Sequence, residues 1–457
     1  VSKTDLTTAP IAPTLVKLTG PMLIGILSMV GFNIVDTYFV GQLGKNELAA
    51  LTFTFPVILV IFSVAQGIGI GATALISQSI GKNDFERAAR ETTDSLVLSI
   101  ILVLVFVAVG ILTIDPVFTA IGADEVTLPL VKEYMYIWFF TLIFVMVPFV
   151  GNSAIRATGD TKTPSYIMLF AVFINALLDP LLIFGYGSFK GLGLQGAALA
   201  TAISRGFTLL LSLYILYYRE KLITLNIPSK QVLSGCWKAI LRIAVPTAAS
   251  RMITPVAAGI VTSIIASHGP EVVAAFGIGN RVEIFSLAIL FALSAVISPF
   301  VGQNLGKHQY ERIRTAINYS LYFSVAWGIF VALIFWQVAE PVARIFNQQP
   351  EVIEAVVLFL TIVPFSFGLQ GLFQVINASL NTINRPGSAF IISVVQMFVI
   401  YVPCAYLGNQ YFGLKGVFSA LALSYVIGGV TTYFTHRVQL KKIADAYYAS
   451  AKAPVTN

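Results

Sequence analysis

The sequence predicts an all-α polytopic membrane protein, with twelve transmembrane helices arranged as two parallel-repeat six-helix bundles, an N-lobe and a C-lobe. Three observations carry that expectation. Of 457 residues, 57% are hydrophobic and only 11% charged, where a soluble globular domain carries about a quarter charged residues. The apolar residues gather into runs of membrane-spanning length, about 20 residues or more. One half of the chain also repeats the other at a fixed offset.

The runs fall, in order, at roughly 15–43, 48–80, 93–115, 130–154, 164–186, 193–218, 238–266, 272–302, 317–339, 352–380, 387–408 and 413–436. Several exceed the usual length, as tilted or kinked helices do. The first contains Pro21, which removes one backbone hydrogen bond and allows a bend. The second contains GIGIGA (67–72); with no strand before it, this is read as close helix packing, not as a dinucleotide turn. The segments GKNDFERAARE and GKHQYERIRTA, after the second and eighth runs, are read as short amphipathic helices on the cytoplasmic surface.

Charge placement sets the topology. Of 28 Lys and Arg residues, 20 lie in the N-terminus and every second loop, five in the other loops, and three, Arg205, Arg251 and Arg281, inside spans. The positive-inside rule then puts both termini in the cytoplasm, in keeping with an even number of spans. The net charge of +7 is thus a topology signal and not a nucleic-acid one. The polar N-terminus VSKTDLTTAPIAPT lacks the basic-then-apolar order of a signal peptide. The expected location is the bacterial cytoplasmic (inner) membrane.

The repeat is visible in two loops. SQSIGKNDFERA (77–88) and GQNLGKHQYERI (302–313) share Gln78/Gln303, Gly81/Gly306, Lys82/Lys307, Glu86/Glu311 and Arg87/Arg312 at an offset of 225. The same offset carries Pro21 onto Pro246, Gly44 onto Gly269, and Ala49-Ala50 onto Ala274-Ala275. The halves are therefore read as an N-lobe, 1–228, with six spans, a stretch of interlobe loop, 229–235, and a C-lobe, 236–457, with six more and a cytoplasmic tail. Six spans per half insert both halves the same way up, a parallel repeat of the kind found in alternating-access transporters.

Enzymatic readings find little support. No phosphate-binding G-x-x-x-x-G-K-S/T and no nucleophile elbow is present. His268, His308 and His436 are expected in or beside loops without metal-ligand spacing. Cys236 and Cys404 have no redox or metal spacing. No cofactor and no metal site is expected.

Few ionisable residues remain within the spans: Asp36, Asp179, Arg205, Arg251, Arg281 and Glu283, with Asp94 and Glu133 at the edges. An Asp near a membrane helix centre costs about 2.5–3.5 kcal/mol on insertion scales, so such residues face an interior and serve a function. Arg281 and Glu283 are read as paired with each other or with backbone at a packing seam. Arg205 pairs with a carboxylate or snorkels; the sequence leaves both open. Depth links the two aspartates. Asp36 and Asp179 each lie seven residues before the outer end of their spans, and Thr201 eight residues into its own. All three are then about 10–12 Å below the outer surface at 1.5 Å per residue. Asn175, one turn before Asp179, shares its face. Asp36, Asn175, Asp179 and Thr201 are thus expected to form one polar cluster, with no Lys or Arg at matching depth. Two adjacent carboxylates in a dry interior do not readily both ionise, which suits them to taking up and releasing a proton.

These residues resemble a known family. The six-plus-six repeat, the paired Q-x-x-G-K-x-x-x-E-R loops, D-T-Y-F-V-G in span 1 and N-A-L-L-D-P in span 5 look like the MATE multidrug and toxic compound extrusion transporters, nearest the prokaryotic DinF-like branch. The resemblance covers essentially the whole chain. It implies an antiporter that exports drugs, dyes and organic cations by alternating access, acting within membrane lipid as a monomer. It assigns ion coupling to Asp36, Asn175 and Asp179, with Thr201 beside them, and the bend of helix 1 to Pro21. Asn33, Tyr38, Tyr136 and Asn152 are the candidate substrate-cavity residues. Span 10 carries Gln370, Gln374 and Asn377 but no carboxylate. This favours coupling in the N-lobe, to H+, with Na+ at the same carboxylates as the alternative. A lipid-linked oligosaccharide flippase would use Arg205, Arg251 and Arg281 for a pyrophosphate head. An intramembrane aspartyl protease would use the two aspartates but needs a G-x-G-D motif that the spans lack.

Overall fold

The computed structural model describes residues 5–187 and 189–452. Its helices are α1 (Ile11–Gly41), α2 (Lys45–Gly81), α3 (Phe85–Ile121), α4 (Thr127–Ala157), α5 (Lys162–Phe184), α6 (Leu194–Tyr214), α7 (Lys230–Ile265), α8 (Pro270–Gly306), α9 (Tyr310–Phe346), α10 (Pro350–Ile362), α11 (Phe367–Thr382), α12 (Pro386–Val394) and α13 (Val402–Lys452). A two-residue antiparallel ribbon, β1 (Gly185–Tyr186) with β2 (Phe189–Lys190), links α5 to α6.

Among the described residues, eleven helical stretches are long and apolar enough to cross a membrane. The sequence leads one to expect twelve because the last stretch, Pro386–Ala449, contains two. Gly413, at φ 57° and ψ −144°, breaks the helical path within α13, between the expected spans 387–408 and 413–436. Gly193, at φ 57° and ψ −131°, holds a similar conformation at the start of α6. A Cβ is poorly tolerated there, so both turns require glycine. The expected span 352–380 is likewise one path in two pieces. α10 and α11 are joined by a 3-10 turn, Val363–Ser366, containing Pro364, whose missing N–H interrupts the ladder.

Two sequence expectations are corrected here. The GKNDFERAARE and GKHQYERIRTA segments are not separate short helices. Each is a tight turn, with Asn83 at φ 61° and His308 at φ 58°, followed directly by the first turns of α3 and α9, both of 37 residues. Asp84 caps α3 by accepting a hydrogen bond from the Arg87 N–H at 3.0 Å, so the long helix starts at the motif. His436 does not border a loop: it is 1% exposed within α13 and hydrogen-bonds Ser379 Oγ at 2.8 Å.

Two compact units divide the chain: Gly20–Ala248, and Asp5–Thr19 together with the residues from Ala249 onward. The cuts fall beside Pro21 and Pro246, the equivalent prolines of the repeat. The first stretch of each half's leading helix therefore belongs to the unit built mainly from the other half.

In the first unit α4 is the interior helix, with 67% of its membrane window buried against 22% for α3 and 28% for α2. The glycines of GIGIGA serve packing on two sides. A Cβ on Gly71 would come 2.9 Å from the Ile240 carbonyl oxygen of α7, one on Gly67 would meet the Ala244 carbonyl, and one on Gly69 would come 2.6 Å from Ser153 Oγ of α4. In the second unit α8 and the α10–α11 path are interior, each 61% buried. Phe359 packs edge-on against Phe418 at 5.1 Å, with Phe276 stacked on Phe418 at 6.4 Å.

The Q-x-x-G-K-x-x-x-E-R turn receives the arriving chain in the second unit, and α3 beyond the equivalent turn receives it in the first. In the second, Asn304 Nδ2 donates to Leu6 O at 3.0 Å, Arg312 to Ala9 O at 2.7 Å, and Lys307 Nζ to Thr7 Oγ1 at 2.9 Å. Asp5 accepts from the Thr7 hydroxyl at 2.7 Å and its N–H at 2.8 Å, and these bonds hold its carboxyl down to about 2. In the first, Trp237 Nε1 donates to Asp94 O and the Thr224 N–H to Thr93 Oγ1, both at 3.0 Å.

Candidate functional site

Helix α5 supplies the most buried polar pair. Asn175 and Asp179 are both fully buried, one turn apart, and Asn175 Nδ2 donates to Asp179 Oδ1 at 3.1 Å. Asp36, half-buried on α1, lies within electrostatic reach of Asp179. Three oxygens in this group are buried without a hydrogen-bond partner: Asp36 Oδ1, Asp179 Oδ2 and Asn175 Oδ1. Buried polar atoms are normally satisfied, so three unsatisfied ones together make this group the candidate site.

A cation is present where the sequence reading expects none. Arg205 of α6 interacts electrostatically with Asp36, and its guanidinium stands 4.4 Å over the Phe32 ring centroid. The sequence carried a signal for this: Arg205 follows Thr201 by four residues and so shares its face of α6. Thr201 is buried. Its carbonyl accepts from Ser204 Oγ at 3.0 Å, and no side-chain hydrogen bond joins it to either carboxylate among the described residues. Tyr134 of α4 was also missed. It is 4% exposed and within electrostatic reach of both aspartates, whereas Tyr136, two residues on, is 40% exposed. Two residues rotate a helix by about 200°. The buried stripe Val131, Tyr134, Met135 and Trp138 was the readable clue.

Of the four candidate cavity residues, one is buried. Asn152, 3% exposed and with Oδ1 unpartnered, borders a narrow space together with Phe32, Phe62, Phe149, Met168 and Arg205. Its volume of about 30 Å³ has room for one or two waters. Asn33 is exposed and donates to Met29 O of its own helix at 3.1 Å, and Tyr38 is 62% exposed. Pro21 lies in α1 where the two units divide.

Among the described residues the second unit holds one buried carboxylate. Glu283 of α8 accepts from the Tyr425 hydroxyl at 2.7 Å and does not pair with Arg281, which is exposed. The expected Arg281–Glu283 or backbone pairing is therefore replaced by a tyrosine 142 residues away in sequence, on α13. Gln396 Nε2 donates to Gln370 Oε1 at 3.3 Å. Arg251 is partly buried in α7. No group of three or more His, Cys, Asp or Glu able to hold a metal ion occurs among the described residues.

Two carboxylates, an amide, a buried phenol and one guanidinium thus lie within electrostatic reach of one another in a bundle of long apolar helices. The MatE family model matches residues 21–181 and again 246–407, and the chain belongs to that family of multi-pass membrane transporters. The two matches begin at Pro21 and Pro246, the offset of the sequence repeat. The chain is 36% identical to the FAD transporter of Shewanella oneidensis over 94% of its length and 95% of the relative's. It is 26% identical to the multidrug export protein MepA of Staphylococcus aureus, covering 91% of each chain. A crystal structure of an aspartate-to-asparagine mutant of the Vibrio cholerae MATE transporter VcmN superimposes with a TM-score of 0.91 at 29% identity, covering 94% of this chain and 97% of that one.

Proposed function

We propose that this protein is a secondary active exporter of the bacterial inner membrane, with both termini cytoplasmic, that moves drugs, dyes and organic cations outward in exchange for protons. The supporting observation is the pair of half-buried Asp36 and buried Asp179, within electrostatic reach of each other and with an unpartnered buried oxygen on each. In the proposed cycle an outward-open state takes a proton at this pair, α1 bends at Pro21, and the N-lobe cavity shrinks and expels its substrate. The carrier then turns inward, releases the proton and reloads. Asn175 holds Asp179, and Thr201 and Tyr134 bound the same polar cluster. The chain acts as a monomer without cofactor or nucleic acid, and we keep it with the DinF-like branch on D-T-Y-F-V-G and N-A-L-L-D-P.

A second substrate reading has its own support. A 36% identical relative is named an FAD transporter, and a flavin nucleotide is anionic, as the positive charge of Arg205 would favour. The coupling proposal does not depend on which substrate is carried.

Substrate flux in proteoliposomes, with pH and Na+ gradients imposed separately, tests the coupling. A pH gradient should drive flux, and Asp36→Asn should reduce it to the level of protein-free vesicles. Flux by Asp36→Asn equal to wild type would end the proton mechanism. Flux driven by Na+ alone would transfer the same carboxylates to sodium.

A further inference from the structure

We propose that Arg205 is a substrate-selecting residue, and that the N-lobe takes a flat aromatic molecule carrying a phosphate or pyrophosphate group. This rests on the exporter reading above and names its substrate class.

The first observation is a charge without hydrogen bonds. An arginine within a membrane-spanning helix is costly and is normally paired. Its fork presents five N–H donors shaped for a carboxylate or phosphate. Arg205 makes no hydrogen bond among the described residues, and its Nε is buried and bare. What holds it is the Phe32 ring face at 4.4 Å and the nearby charge of Asp36. Were this a structural ion pair, Asp36 would accept from the guanidinium; instead Asp36 Oδ1 is itself without a partner. The donors remain for a ligand.

The second observation is the wall around those donors. Arg205 lines the cavity with Phe32, Phe62 and Phe149 and with Met168, apolar and polarizable faces that suit a planar ring. Asn152 adds a buried, unpartnered Oδ1 able to accept from a ring N–H or sugar hydroxyl. A guanidinium at an aromatic wall recognises an aromatic phosphate by bidentate, charge-assisted bonds that riboflavin and ethidium cannot form. At about 30 Å³ the cavity does not hold such a ring in this conformation, so the ring enters as α1 moves in the proposed cycle.

Riboflavin, FMN and FAD carry the same ring with no phosphate, a monophosphate and a pyrophosphate, and ethidium is a planar cation. All four are to be measured for binding to the purified full-length protein and for flux in proteoliposomes. Wild type should prefer FMN and FAD to riboflavin by roughly tenfold or more, the scale of one charge-assisted bidentate contact. Arg205→Gln should bring that ratio near one, and Arg205→Lys should retain part of the preference. Equal binding of riboflavin and FMN by wild type would overturn the proposal. So would a uniform loss of all four substrates in Arg205→Gln when its melting temperature is unchanged. Should the Gln variant fail to fold, Arg205→Lys alone decides: an FMN-to-riboflavin ratio identical to wild type counts against recognition by the planar fork. Loss of pH-driven flux with an intact phosphate preference would sink the coupling reading and leave this one standing; the reverse result would do the opposite.

Discussion

At the scale of single residues, the buried carboxylate of the second unit contrasts with the Asp36/Asp179 group of the first. Glu283 is satisfied by a short hydrogen bond from Tyr425, as a structural carboxylate is. Asp36, Asp179, Asn175, Asn152 and Arg205 each keep an unpartnered buried atom. Removing a partner from a satisfied buried acceptor costs its desolvation, about 1–3 kcal/mol. Tyr425→Phe should therefore lower thermal stability in detergent by about that much, while Glu283→Gln, which keeps an acceptor for the phenol, should cost less. An equal melting temperature for Tyr425→Phe and wild type would show that Glu283 does not depend on this bond. Depth and spacing read from the sequence did bring Asp36, Asn175 and Asp179 into one neighbourhood. They could not show Arg205 turning toward Asp36 or Tyr134 in place of Tyr136. Those outcomes depend on helix rotation, which adjacent helices set.

At the scale of elements, glycine governs how closely α2 approaches its neighbours. Gly67 and Gly71, one turn apart, face the α7 backbone, and Gly69 faces α4. Backbone carbonyls cannot yield as a flexible side chain can, so an added side chain must push the helices apart. Gly71→Leu should destabilise the protein by about 1–3 kcal/mol, the usual scale of overpacking, measured as a lower melting temperature of the purified protein. Gly235→Ala is the control: nothing lies within 4 Å of its Cβ position, and alanine is the better helix former by about 1 kcal/mol. That α2 packs closely through GIGIGA was legible in the sequence. The side each glycine faces was not. The broken α10–α11 path escaped a hydropathy reading, because Pro364 sits in a stretch that remains apolar throughout, whereas the break at Gly413 falls where the reading parts span 387–408 from span 413–436. The amphipathic starts of α3 and α9 were legible as polar segments but not as parts of long helices. Hydropathy falls off at the headgroups while the backbone ladder continues.

At the scale of the whole molecule, the halves seen by repetition and the units seen by packing are cut at different places. Repetition separates 1–228 from 236–457, whereas the compact units are Gly20–Ala248 and Asp5–Thr19 with the chain from Ala249 onward. Offsets in a sequence record ancestry and carry no information on which lobe a helix end joins. The exchanged stretches are well fastened. Leu6 is fully buried, and Leu6 O and Ala9 O accept hydrogen bonds from Asn304 and Arg312, while Trp237 donates to the Asp94 carbonyl. A fragment ending at residue 228 thus lacks the α7 stretch that its unit contains, and a fragment beginning at 229 lacks residues 5–19. Neither should accumulate in the membrane when made alone. Made together, each supplies what the other lacks, and pH-driven flux should return in proteoliposomes prepared from the co-purified pair. Moving residues 1–19 onto the front of the second fragment should let that fragment accumulate by itself to a level its unextended form does not reach. Equal accumulation of the extended and unextended fragments would show that the docking of Leu6, Thr7 and Ala9 on the α8–α9 turn adds nothing to the second unit's stability.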